Sequence, residues 1–124
     1  MSTLQTYDLG NLLQEATNAK TTAMSRVEAL QYKCDNLREE RELLYKMVVL
    51  RKRILTNLEE APTTWGEGVD NARAEVDEIK EELKVVVNSM TGYANSLLKA
   101  ENEYEICVIK LETIVQFMRE QGDE

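Results

Sequence analysis

Apolar residues recur through the second half of the chain at Val69, Ala72, Val76, Ile79, Leu83, Val86, Met90, Tyr93, Leu97, Ala100, Tyr104, Cys107, Leu111, Ile114 and Met118. The steps alternate three and four residues without a slip, which keeps one seam of a helix facing a partner helix. A run of about 50 residues at 1.5 Å each predicts a rod of roughly 75 Å. The first half repeats the pattern at Leu13, Ala16, Lys20, Ala23, Val27, Leu30, Cys34, Leu37, Arg41, Leu44, Val48, Arg51, Leu55 and Leu58. Its three basic members, Lys20, Arg41 and Arg51, are expected to lay their stems across the seam with the charge at its edge, marking register.

Ala61-Pro62-Thr63-Thr64-Trp65-Gly66-Glu67-Gly68 separates the two runs and holds the only Pro, the only Trp and two of the five Gly. Pro62 lacks an amide hydrogen and pushes Ala61 out of helical angles, so the first helix should end near Glu60. Thr64 and Glu67 have the spacing of a capping box, which restarts a helix near Trp65. The expected elements are a helix over about 8–60, a turn over 61–68 carrying Pro62, Trp65, Gly66 and Gly68, and a helix over about 65–121. Gly92, inside the second helix, costs about 1 kcal/mol relative to Ala and is expected to mark a close backbone approach or a slight bend.

Charge decides between a straight rod and a hairpin. Residues 1–61 carry nine basic and nine acidic residues, whereas residues 62–124 carry six basic and 14 acidic, placing the whole net charge of −8 in the second half. The first helix ends in Lys46, Arg51, Lys52 and Arg53, and the second begins with Asp70, Glu75, Asp77, Glu78, Glu81 and Glu82. Folding back at residue 64 or 65 sets Arg51 near Glu78 and Lys46 near Glu82, and each cluster also complements its own helix dipole. The expected fold is therefore all-α: one domain, a long antiparallel two-helix coiled-coil hairpin that completes a helical bundle with a second copy or a partner. Cys34 should then lie opposite Ala94 and Cys107 opposite Thr22, each a buried core thiol too far from the other for a disulfide.

Two helices bury one seam each, yet this chain has apolar residues to spare. The first helix carries a second stripe at Leu43, Met47, Leu50 and Ile54. The second adds Val87, Ala94, Val108 and Val115 on one flank and Ile106, Ile109 and Phe117 around its last third. A two-helix core has no second layer for such residues, so Leu43, Met47, Leu50 and Ile54 near the turn, and Ile106, Ile109, Val115 and Phe117 toward the open end, are the candidate partner-binding residues.

Composition narrows the chemistry. The 124 residues include no His, which removes the commonest general base and metal ligand. No glycine-rich phosphate loop, catalytic triad, EF-hand loop or spaced Cys cluster is present. Glu75 to Glu82 reads as a solvated helix face. Glu101 and Glu105 lie one turn apart, but the Glu-x-x-His motifs of di-iron bundles are missing. Enzymatic activity, a metal, a cofactor and a small-molecule substrate are therefore not expected. The −8 charge opposes nucleic acid and anionic membranes. The longest apolar run is Met47-Val48-Val49-Leu50, which predicts no membrane insertion. The N-terminal residues lack signal-peptide character, so a cytoplasmic location is expected, with non-classical export alongside a partner left open.

With Trp65-Gly66-Glu67-Gly68 between its helices, followed by Ala72, Val76, Ile79, Leu83, Met90, Tyr93-Ala94, Leu97, Ala100 and Tyr104, the chain resembles the small WXG proteins of the type VII secretion pathway and the longer helical relatives that escort LXG-type toxins. The likeness covers roughly residues 40–105. It departs where a W-x-G turn needs Gly at position 67, which is Glu67, with the glycine one place later at Gly68. The tyrosine-based export signal is also absent, since Leu97 follows Tyr93 by four residues and Val108 follows Tyr104. The chain is longer than usual members. The resemblance thus implies a binding partner or targeting factor, not an autonomous export substrate.

Three functions remain in competition. The first is a helical partner or targeting chaperone for a larger protein, with a type VII-secreted client as the case the resemblance implies. The second is a structural coiled-coil subunit of a cytoskeletal, tethering or phage assembly. The third is an acidic inhibitor mimicking nucleic acid, against which stand Lys80, Lys84, Lys99 and Lys110 interrupting the acidic helix.

Overall fold

The computed structural model describes residues 2–61 and 66–122, with side chains described at 8–61, 66 and 68–122. It is an all-α helical hairpin. Helix α1 runs Ser2–Glu59 and helix α2 runs Gly66–Gly122. Pro62, Thr64 and Trp65 lie outside the described residues, as does the side chain of Glu67. Gly66 and Gly68, expected both in the turn and at the start of a helix from about residue 65, lie in the first turn of α2, and α1 begins six residues before the expected Asp8.

Helix α1 stops where the next residue but two is Pro62. Its last carbonyls are taken up by Glu60 N–H donating to Thr56 O at 3.0 Å and Ala61 N–H donating to Leu58 O at 3.3 Å, a tightened final turn. Threonines inside the helices satisfy their hydroxyls locally: Thr17, Thr21, Thr56, Thr91 and Thr113 each donate to the carbonyl four residues back. That contact lets a residue of modest helix propensity sit mid-helix.

The hairpin divides into two compact units, one formed by residues 33–93 and the other by residues 1–32 with 94–124. In the 33–93 unit, Leu44 and Val48 of α1 meet Ile79 and Val86 of α2, flanked by Leu37, Leu83 and Met90. Ala72 and Val76 are buried further along the same seam. Arg51 reaches Glu75 at 3.0 Å and Arg73 reaches Glu59 at 3.2 Å, which fixes the two helix segments as antiparallel. The ammonium of Lys33 stands 5.5 Å from the centre of the Tyr93 ring, within cation–π range. Arg51 therefore meets Glu75 and not the expected Glu78, one turn away. Among the described residues no ion pair joins Lys46 to Glu82.

The other unit has a thinner interior. Its buried residues are Ala23 and Ala100, with Val27, Leu30, Leu97, Tyr104, Leu111, Ile114 and Met118 half-buried around them. Arg26 pairs with Glu103 at 3.4 Å, again between antiparallel segments. These ion pairs are solvent-exposed and contribute about 0.2–1 kcal/mol each, so the seams carry the folding and the charges set register.

Every buried residue among those described lies on a predicted seam position. Lys20 and Arg51 are half-buried there, whereas Arg41 is exposed. Cys34 and Cys107 are free thiols and half-buried, not fully buried as expected: a two-helix seam is one layer deep and leaves its sides open to water. A Cβ built on Gly92 would meet nothing within 4 Å, so the expected close backbone approach is absent.

Candidate interaction surface

In α1 of the 33–93 unit, the seam residues Leu44 and Val48 are 7% and 6% exposed, while their immediate neighbours Leu43, Met47, Leu50 and Ile54 are 59%, 37%, 54% and 39% exposed. The cause is helical geometry. These four sit one position before Leu44, Val48, Arg51 and Leu55, about 100° round the helix, where α2 does not reach.

The same stretch is basic. Residues 43–58 contain Lys46, Arg51, Lys52 and Arg53 and no acid. Arg51 is tied to Glu75, but none of the ion pairs among the described residues involves Lys46, Lys52 or Arg53, all three of them exposed. Arg41, Glu42, Tyr45 and Lys46 of α1 and Leu83 and Val87 of α2 line a cleft of about 390 Å³. Five of its six lining residues are exposed and Leu83 is half-buried, so it is an open surface groove.

In the unit formed by residues 1–32 and 94–124, three shallow clefts follow one another along the pair of helices. The first, about 470 Å³, is lined by Leu12, Ala16, Ala19, Ile109, Thr113 and Ile114 among others. The second, about 440 Å³, shares Ala19 and adds Thr22, Ala23, Ile106 and Cys107. The third, about 370 Å³, shares Arg26 and Glu103 and adds Ala29, Leu30, Ser96 and Lys99. Ala16, Ala19, Ala23 and Ala29 are among the residues lining these clefts, and their small side chains leave space that larger ones would fill. Thr22 and Cys107 line one of these clefts together, as the folded-back register requires.

Of the residues expected in this unit to meet a partner, Ile106, Ile109 and Phe117 are exposed, while Val115 is half-buried. Val115 stands four residues after Leu111 and three before Met118, both on the seam, and so lies nearer the seam than Ile106 or Ile109. Val108, also expected on the outer flank, is half-buried at the corresponding position between Tyr104 and Leu111. Sequence reasoning passed over Leu12, Met24, Tyr32, Tyr45, Val49, Val85 and Leu98, all exposed. Each is apolar or aromatic at a position outside the three-four seam, and that is the signal that finds them.

Among the described residues no group of acidic or cysteine side chains converges to hold a metal ion, and no helix is long and apolar enough to cross a membrane. Glu75, Asp77, Glu78, Glu81 and Glu82 all face solvent. No protein-family model, no curated protein and no solved structure matches the chain.

Proposed function

We propose that this chain is a non-enzymatic protein–protein interaction module, a helical hairpin that partners a larger protein and acts as its targeting chaperone. The observation that carries the reading is the run Leu43, Met47, Leu50 and Ile54, standing exposed beside a seam that is already complete without it. Apolar side chains repeated every three and four residues are the means by which a helix docks onto another helix. Burying such a stripe is favourable at about 25 cal/mol per Å², so a partner helix laid on it would be held chiefly by apolar contact.

The Trp-Gly segment at Trp65-Gly66, similar to that of WXG proteins, points this reading toward a secreted client of the type VII pathway. Its departure at Glu67 favours the role of escort over that of cargo. In this reading the hairpin covers an apolar helix of the client before export.

The test is coexpression of the hairpin with helical segments of candidate clients, followed by measurement of stoichiometry and melting temperature. A fixed-ratio complex, more stable than either chain by the linkage expected of a ligand that binds only the folded state, supports the reading. The double variant Leu43→Glu/Leu50→Glu should fold alone and lose the complex. A complex unaffected by that variant would overturn the placement of the surface. A native extract from which the wild-type hairpin retrieves no stoichiometric partner would overturn the function.

A further inference from the structure

The two apolar faces that remain open carry opposite charge. On α1, Leu43 and Leu50 lie seven residues apart, bracketing Lys46, and Arg53 follows Lys46 by seven; both cations are exposed and in no ion pair among the described residues. On α2, Ile106 and Ile109 are exposed beside Glu105 and Glu112, also seven residues apart, exposed and in no such pair. Seven residues are two helical turns, about 10.5 Å along the axis. Two cations and two anions at one repeat, each beside apolar side chains that stand more than half exposed, are complementary in charge, spacing and chemistry.

We propose that the face of α1 at Leu43, Lys46, Leu50 and Arg53 and the face of α2 at Glu105, Ile106, Ile109 and Glu112 cover one another between two copies of this chain. The inference rests on reading these faces as contact surfaces and adds what occupies them when no client is bound. Packing α1 against the same stretch of α1 in a second copy would bring Lys46 and Arg53 against their own kind, since residues 43–58 hold no acid. An anionic membrane is disfavoured by the net charge of −8 and by the acids Glu75, Asp77, Glu78, Glu81 and Glu82 in the same unit. Pairing α1 with α2 of another copy joins unlike charges at both steps of the repeat. A client helix would then have to displace a second copy, and binding to the two would be mutually exclusive.

The experiment is light-scattering mass measurement on the full chain over a concentration series at low and high salt, with far-ultraviolet circular dichroism as the control for folding. The wild-type mass should rise above 14.2 kDa with concentration, and less so at high salt. Lys46→Glu/Arg53→Glu and Glu105→Lys/Glu112→Lys should each weaken association roughly ten-fold or more. An equimolar mixture of the two variants, or the chain carrying all four changes, should recover it. A chain of 14.2 kDa at every concentration would overturn the proposal, as would association that the charge reversals leave unchanged or that the fourfold variant fails to recover. A monomer that sediments with phosphatidylserine vesicles would overturn it in favour of a membrane. A persistent monomer that still forms the fixed-ratio client complex would remove only the self-contact and leave the proposed function standing.

Discussion

Leu43 and Leu44 are adjacent in sequence, and truncating each to alanine should give opposite results. Leu44 is 7% exposed and packs with Val48, Ile79 and Val86. Shortening it removes about three methylene equivalents at roughly 0.8 kcal/mol each, near 2.4 kcal/mol of transfer free energy, before any cavity term. The cavity term is small here, because a seam one layer deep admits water into the space left behind. Leu44→Ala should therefore destabilise the chain by about 2–3 kcal/mol, the lower part of the range for buried leucines. For a chain of this size that is a fall in melting temperature of about 10 °C. Leu43 is 59% exposed and should cost no more than about 0.5 kcal/mol in the isolated chain. Urea and thermal unfolding followed at 222 nm, at a dilution where association is absent, measure both. Equal destabilisation by the two truncations, or a Leu44→Ala chain as stable as the parent, would refute the seam assignment on which the exposed stripe depends.

Other outcomes follow from single residues. Gly92→Ala should stabilise the chain by about 1 kcal/mol, since helix propensity improves and the added methyl meets nothing within 4 Å; denaturant unfolding reads this, and a loss of stability would show a contact at that face. Glu75→Gln should cost less than about 1 kcal/mol, and the difference should shrink in high salt because the Arg51–Glu75 pair is solvent-exposed. An amine-reactive crosslinker should join Lys20 to Lys110 within one chain, because Arg26 meets Glu103 six or seven residues away on the same two helices; mass spectrometry of the digested monomer detects the link, and its absence alongside reactive lysines would contradict the antiparallel register.

The seam was legible in full because a three-four repeat is itself a statement of which side of a helix faces another. All the α2 positions from Val69 to Met118 on that repeat are buried or half-buried, and in α1 only Arg41 departs, its long side chain carrying its guanidinium out to water. The hairpin was legible for a different reason, the segregation of basic and acidic clusters on either side of Pro62. The partner of Arg51 was not, because Glu75, Glu78 and Glu82 are spaced by about a turn each and the choice among them depends on how the seam side chains interlock. The half-burial of Val115 was not legible in a tally of spare apolar residues, because it depends on how close a position between Leu111 and Met118 comes to the seam. The groove over Ala16, Ala19, Ala23 and Ala29 escaped notice since alanine reads as a good helix former, and depth appears only when the sizes of facing residues are compared. Opposite charge on the two open faces was present in the sequence as Lys46/Arg53 and Glu105/Glu112, but it acquires meaning only once those residues are known to be exposed and without ion pairs among the described residues.

Hydroxyl-radical footprinting tests most directly whether the open face of α1 is a contact surface. The chain is labelled once dilute and alone, and once concentrated or bound to a client helix, and side-chain oxidation is read residue by residue. The account predicts that Met47, Leu50 and Ile54 lose labelling on assembly while Tyr32, exposed elsewhere on α1, keeps it. Unchanged oxidation of Met47, Leu50 and Ile54 in an assembled state would contradict it.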